Sequence, residues 1–205
     1  MSIFTDAKLV KKTDMKGIYI FLADGFEEVE ALGTNDVLRR AGLRSELVCI
    51  KEEPFVQSSH GITVSVDDCL PFLQSDHEGT TERDVLIFPG GMPGSKSLSE
   101  CKPLIKLMQE HYDAGGTVAA ICAAPGLVLS QLKGIAGAEV TCFDGFEGYL
   151  EKAGAHFSPK PAICSGRIIT GRSAGHALSF GLEIVKKVCP EKVDQVRHAL
   201  YLETI

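Results

Sequence analysis

Apolar residues in this chain come in short unbroken runs separated by stretches of helical periodicity. The runs at 17–23 (GIYIFLA), 84–89 (DVLIFP) and 117–121 (TVAAI) lack the polar alternation of a strand with one wet face. They predict strands covered on both sides in a parallel sheet. Between the first run and a second strand expected over 43–50, the stripe Val29, Leu32, Val37 and Leu38 predicts a helix over 26–41. Its first turns carry Glu27, Glu28 and Glu30, which suit the positive end of the helix dipole, and Gly42 stops it. Two extended pieces about His60 and Gly61 predict a hairpin over 55–66, and the two glycines and proline of Gly90-Gly91-Met92-Pro93-Gly94 forbid regular structure after the 84–89 strand. Helices are expected over 104–111, 123–132, 175–188 and 191–202, a strand over 139–143, and a second hairpin from 161–164 and 167–170. Strands alternating with helices along most of the chain predict the α/β class: a doubly wound, mostly parallel sheet with helices on both faces.

Composition changes this picture only by exclusion. With 205 residues, 44% hydrophobic and 23% charged, the chain suits one ordinary globular domain at a prior of about 150 residues per domain. The net charge of −6 comes without a basic run, so nucleic acid and membrane surfaces are not expected partners. There is no apolar run long enough to span a bilayer and no signal-like start, which points to a cytoplasmic protein with reduced thiols. Seven cysteines without any CxxC spacing predict no metal site, most of them serving as buried small hydrophobes. Residues 1–16 hold four lysines, no arginine and the acids Asp6 and Asp14, a poor transit peptide. They are expected to be a disordered extension to a single domain over 17–205.

Candidate chemistry collects where the predicted strands end, since in open α/β sheets the loops and helix N-termini converge there. Cys122, in AAICAAPG, falls between a strand and a helix, with small neighbours that permit a sharp bend exposing the side chain. A helix N-terminus lowers a thiol pKa, so a thiolate near neutral pH is expected. The pair Gly90-Gly91 offers backbone N–H groups which, with that of Ala123, form a possible oxyanion site. An acid from the Glu27, Glu28, Glu30 cluster near the sulfur would be pushed towards its protonated form and would donate a hydrogen bond to it. On spacing alone, each of these acids also serves as a mere dipole partner, and a PGG as a mere turn.

The segments LADGFEEVEAL (22–32), LRRAG (38–42), LIFPGGMPGSKSL (86–98), AAICAAPGLVL (119–129) and ITGRSAG (169–175) resemble the ThiJ/PfpI superfamily, and most of all its branch of the parkinsonism-associated deglycase (DJ-one). The resemblance runs in order from about residue 16 to 188 and leaves the leader outside. It implies a flavodoxin-like fold, a homodimer, no required cofactor, and a link to oxidative stress with glyoxalase or deglycase action on methylglyoxal-type aldehydes or glycated adducts. Carried over by position, it makes Cys122 the nucleophile, Glu30 its protonated partner, and Gly91 and Ala123 the backbone donors. Two departures bear on the expected activity. Ala123 stands where superfamily peptidases carry a histidine, which demotes a cysteine peptidase, and Phe143 stands where the stress branch has a histidine across the pocket. His60 replaces an arginine near the expected dimer interface, and His60 and His176 remain possible auxiliary residues. A non-enzymatic redox sensor or chaperone-like protein, using oxidation of Cys122, is the rival expectation.

Overall fold

The computed structural model describes residues 13–73 and 75–202. In chain order the strands and helices are β1 (Thr13–Asp14), β2 (Ile18–Leu22), α1 (Glu28–Arg40), β3 (Ser45–Cys49), β4 (Phe55–Gln57), β5 (Thr63–Ser65), β6 (Asp68–Cys69), β7 (Ser75–Asp76) and β8 (Val85–Phe88). There follow α2 (Gly94–Glu100), α3 (Lys102–Asp113), β9 (Thr117–Ile121), α4 (Ala124–Leu127), β10 (Glu139–Val140), α5 (Glu147–Lys152), β11 (His156–Phe157), β12 (Ala162–Ser165), β13 (Ile168–Gly171), α6 (Ala177–Val188) and α7 (Val193–Ala199). Seven strands form the central sheet in the order β12-β13-β9-β8-β2-β3-β6, all pairs parallel except β12 with β13. The run β3-β2-β8-β9-β13 is the flavodoxin-like order, so the doubly wound prediction holds.

The unbroken apolar runs are explained by burial on both faces. In β2, Tyr19 and Phe21 face the side covered by α2, α3 and α4, where Phe88, Leu98, Met108 and Leu129 pack with them. Ile18, Ile20 and Leu22 face the side covered by α1 and α6, meeting Val37, Phe180 and Val185. Each residue thereby leaves water whichever way it points, at about 25 cal/mol per Å² of apolar surface. No helix among the described residues is long and apolar enough to cross a membrane.

The structure departs from the sequence expectations at several elements, three of which bear on predicted bounds. The helix expected over 123–132 is one turn of α-helix, α4, followed by a 3-10 turn at Leu129–Gln131. There the Ser130 hydroxyl donates to the Gly126 carbonyl at 2.5 Å and competes with the helical ladder. The strand expected over 139–143 shrinks to β10, which pairs with β11 outside the central sheet. The next amides are taken elsewhere: Thr141 N donates to Thr170 Oγ1 at 2.9 Å and Phe143 N to Cys122 O at 2.8 Å. The fold also begins earlier than residue 17, since β1 pairs with β7 and Met15 is fully buried. The rest of the expected disordered extension, residues 1–12, lies outside the described residues.

Candidate active site

Strand order reverses about β2 and β8, which opens a crevice at their carboxyl ends. Three turns meet in it: the one from β2 into α1, the glycine turn after β8, and the one from β9 into α4. The first two interlock through backbone. Glu27 N donates to Gly90 O at 3.0 Å, and Gly94 N to Gly25 O at 3.3 Å. Gly91 adopts φ +89°, and a Cβ there would overlap Glu27 N and lie 2.6 Å from Gly25 O, so only glycine permits this approach.

Cys122 is held at φ +66°, a left-handed conformation that costs an L-residue about 1–2 kcal/mol. Its peptide units are clamped on both sides, Cys122 N donating to Gly171 O at 3.0 Å and Cys122 O accepting from Phe143 N. Such strain persists only where the surroundings over-determine the backbone, and here it aims the side chain into the crevice rather than along the strand.

Glu30 reaches the same point from the first turn of α1. Glu27 serves as the N-cap, its Oε2 accepting from Glu30 N at 2.6 Å. The Glu30 side chain is 1% exposed, and its Oε2 accepts from Gly90 N at 2.7 Å. Gly90 therefore holds the carboxyl and its N–H is no longer free to receive an oxyanion, while the N–H groups of Gly91 and Ala123 meet the Cys122 sulfur. A Cβ on Gly90 would overlap Glu30 Oε2 and stand 2.5 Å from Cys122 Cβ and 3.0 Å from its sulfur, so thiol and carboxyl both pack on this bare backbone.

Burial raises the Glu30 carboxyl from its ordinary 4.5 to about 7, the negative Glu27 adding to the rise, while the Cys122 thiol and the Gly90 N–H hold it back. Glu30 Oε1 is buried without a hydrogen-bond partner of good geometry, which also favours the protonated acid. Burial pushes the Cys122 thiol up to about 12, with the charge of Glu30 and its hydrogen bond next, against the N–H groups of Ala123 and Gly91. The expected lowering of this thiol by a helix N-terminus is thus outweighed. The helix concerned is the four-residue α4, whose dipole is short, and a carboxyl stands beside the sulfur. Glu30 thus gives up its proton near 7 while Cys122 keeps its own far above neutrality, so between these values the site holds one proton and one negative charge. In that range, moving the remaining proton onto Glu30 leaves the charge on sulfur.

The predicted residues Cys122, Glu30, Gly91 and Ala123 are brought together. The two histidines are engaged elsewhere. His60, on the β4–β5 hairpin, is 70% exposed and its Nδ1 meets Glu28 Oε1 at 2.8 Å, while His176 Nδ1 meets Ser173 Oγ at 2.9 Å. Glu27, Glu28 and His60 place one ligand atom each within 4.8 Å of one another, a group already occupied by the cap and the ion pair. Sequence reasoning missed the two clamps on Cys122. Gly171 stood in the quoted ITGRSAG segment and Phe143 was singled out, but both act through backbone atoms that no side-chain pattern advertises.

Residues 16–187 match the model of the DJ-1/PfpI family. The chain is 31% identical over 186 residues to the protein dj-1beta of Drosophila melanogaster, covering 90% of this chain and 96% of that one. It is 33% identical over 177 residues to the glutathione-independent glyoxalase DJR-1.2 of Caenorhabditis elegans, covering 86% and 90%. The crystal structure of Drosophila melanogaster DJ-1beta superposes with a TM-score of 0.81 at 29% identity, over 91% of this chain and 97% of that one. The chain therefore belongs to the DJ-1/PfpI family, in its DJ-1 branch.

Proposed function

We propose that this protein is a glutathione-independent glyoxalase or deglycase, using Cys122 and Glu30 on methylglyoxal-type dicarbonyls or their early adducts. The observation that carries this reading is a strained, clamped cysteine packed on the same bare Gly90 backbone as a buried carboxyl that burial raises to about 7. A family relative at 33% identity bears the glyoxalase name. The sulfur adds to the aldehyde carbon as the proton settles on Glu30, and the N–H groups of Gly91 and Ala123 stand at the reacting end. Glu30 then carries a proton from the first carbon to the second as base and acid, and water releases the hydroxy acid from the sulfur. No cofactor enters these steps. The partners are a small aldehyde or glycated substrate and a second copy of the chain. The half-exposed Val29, Phe55 and Ile62 favour such a dimer, and a monomer mass by light scattering would remove it.

The test is lactate formation from methylglyoxal with no glutathione added. Cys122→Ser is expected to lose activity by at least 10²-fold, and a variant as active as the parent overturns the mechanism. The redox-sensor reading is favoured by the same protonated carboxyl, which suits a hydrogen bond to an oxidised sulfur. Mass spectrometry after mild peroxide separates the two, since the sensor requires selective conversion of Cys122 to the sulfinate.

A further inference from the structure

At one edge of the central sheet, its last two strands place two thiols in contact. β3 and β6 pair in parallel with Cys49 directly opposite Cys69, and the two sulfurs are 3.3 Å apart. Both residues are buried, at 0% and 4% exposure. Carbonyl groups orient the thiols: Cys49 Sγ lies 3.1 Å from Lys51 O and from Glu53 O, and Cys69 Sγ 3.4 Å from Glu52 O. A disulfide requires about 2 Å between sulfurs and opposed Cα atoms within about 7 Å. Directly paired strand residues meet the second condition. The first needs a shift of little more than an ångström, from a strand that is two residues long and lies at the edge of the sheet.

The geometry points to Cys49 and Cys69 as a peroxide-responsive dithiol that closes to a disulfide between β3 and β6. One thiolate, that of the slightly exposed Cys69, attacks a peroxide oxygen; the O–O bond breaks, water leaves and a sulfenic acid forms. The Cys49 sulfur then displaces the sulfenic hydroxyl as a second water. Two thiols lose two electrons and two protons, and one hydrogen peroxide becomes two waters. Burial and the neighbouring Cys49, with the charges of Asp68 and Glu53, push the Cys69 thiol up. Closure therefore accelerates with alkalinity, by about tenfold per pH unit while the thiolate is the minor form.

The bond matters because of what lies between its ends. Residues 50–68 carry the β4–β5 hairpin, which docks on the turn leading to Glu30: Gly25 N donates to Gln57 O at 2.8 Å, Ser59 N to Phe26 O at 2.8 Å, and His60 meets Glu28. Closing the base of this segment restrains a wall of the Cys122 crevice. The site itself is independent of the activity proposed above.

Trypsin cuts after Arg44, Lys51 and Arg83, so Cys49 and Cys69 fall in separate peptides, 45–51 and 52–83, with one cysteine each. Folded full-length protein is treated with hydrogen peroxide, alkylated under denaturing conditions and digested without reductant. The expected result is a cross-linked pair of these peptides, two hydrogens lighter than their sum, with loss of two alkylatable thiols that dithiothreitol restores. The cross-link is also expected in Cys122→Ser, which separates it from the chemistry at that residue, and amide exchange in 55–65 is expected to slow. Recovery of both cysteines alkylated, their oxidation to separate sulfinates, or a cross-link seen only when the protein is unfolded before oxidation overturns the proposal.

Discussion

Replacing Glu30 by glutamine keeps the shape of the side chain and an oxygen for the Gly90 N–H at 2.7 Å, but removes the titrating proton beside Cys122. Folding raises this carboxyl from 4.5 to about 7. The folded protein therefore holds a proton that the unfolded chain has already released between those values. Stability from this group is fully present below about pH 4.5 and is lost as pH rises through about 7. At about 1.4 kcal/mol per pH unit, the loss reaches about 3 kcal/mol by pH 8. Cys122 is raised as well, but from 9 to about 12, so it adds no slope in this window. Glu30→Gln cannot ionise and is expected to escape the loss. Relative to the parent it gains about 2.5 kcal/mol between pH 5 and pH 8, a differential rise in Tm of about 5–10 °C for a chain of this size. Urea unfolding at a series of pH values measures it, and every group unaffected by the substitution cancels in the difference. Parallel stability curves for parent and variant from pH 5 to pH 8 would refute the reasoning, because the carboxyl would then titrate as an ordinary glutamate.

If the charged pair is the reactive form, the proposed lactate formation by the parent protein rises with pH to a plateau, with an apparent pKa of about 7 in kcat/KM. A flat profile from pH 5 to pH 9 contradicts this assignment. Gly90→Ala places a methyl against Glu30 Oε2 and the Cys122 side chain. It is expected to cost about 1–3 kcal/mol in stability by overpacking and to remove activity, and a variant with the parent's melting temperature and turnover shows that the contact is not as close as described.

The sheet was legible because its strands are covered on both faces. Such strands must be apolar at every position, so 17–23, 84–89 and 117–121 announced themselves, and TVAAI matches β9 residue for residue. The short elements were less legible: β6, with two residues, was not anticipated, and β10 and α4 were expected longer than their two and four residues, too few for a period to show. At the site, the types and order of Cys122, Glu30 and the glycine turn were readable, since a nucleophile, an acid and bare backbone each leave a local mark in sequence.

What sequence alone determined, then, was which residues carry chemistry and that the loops bearing them emerge at one end of a parallel sheet. Their protonation states were decided only by tertiary structure. The short helix after Cys122 suggested a lowered thiol, whereas contact with Glu30 across the Gly90 backbone, the carboxyl buried and the thiol partly so, raises both groups. Nor did spacing reveal that Cys49 faces Cys69, a consequence of the register between two strands distant in the chain. Local pattern records burial and backbone preference residue by residue. Charge coupling and thiol pairing depend on separations of a few ångströms between residues remote in sequence, and those exist only once the chain has folded.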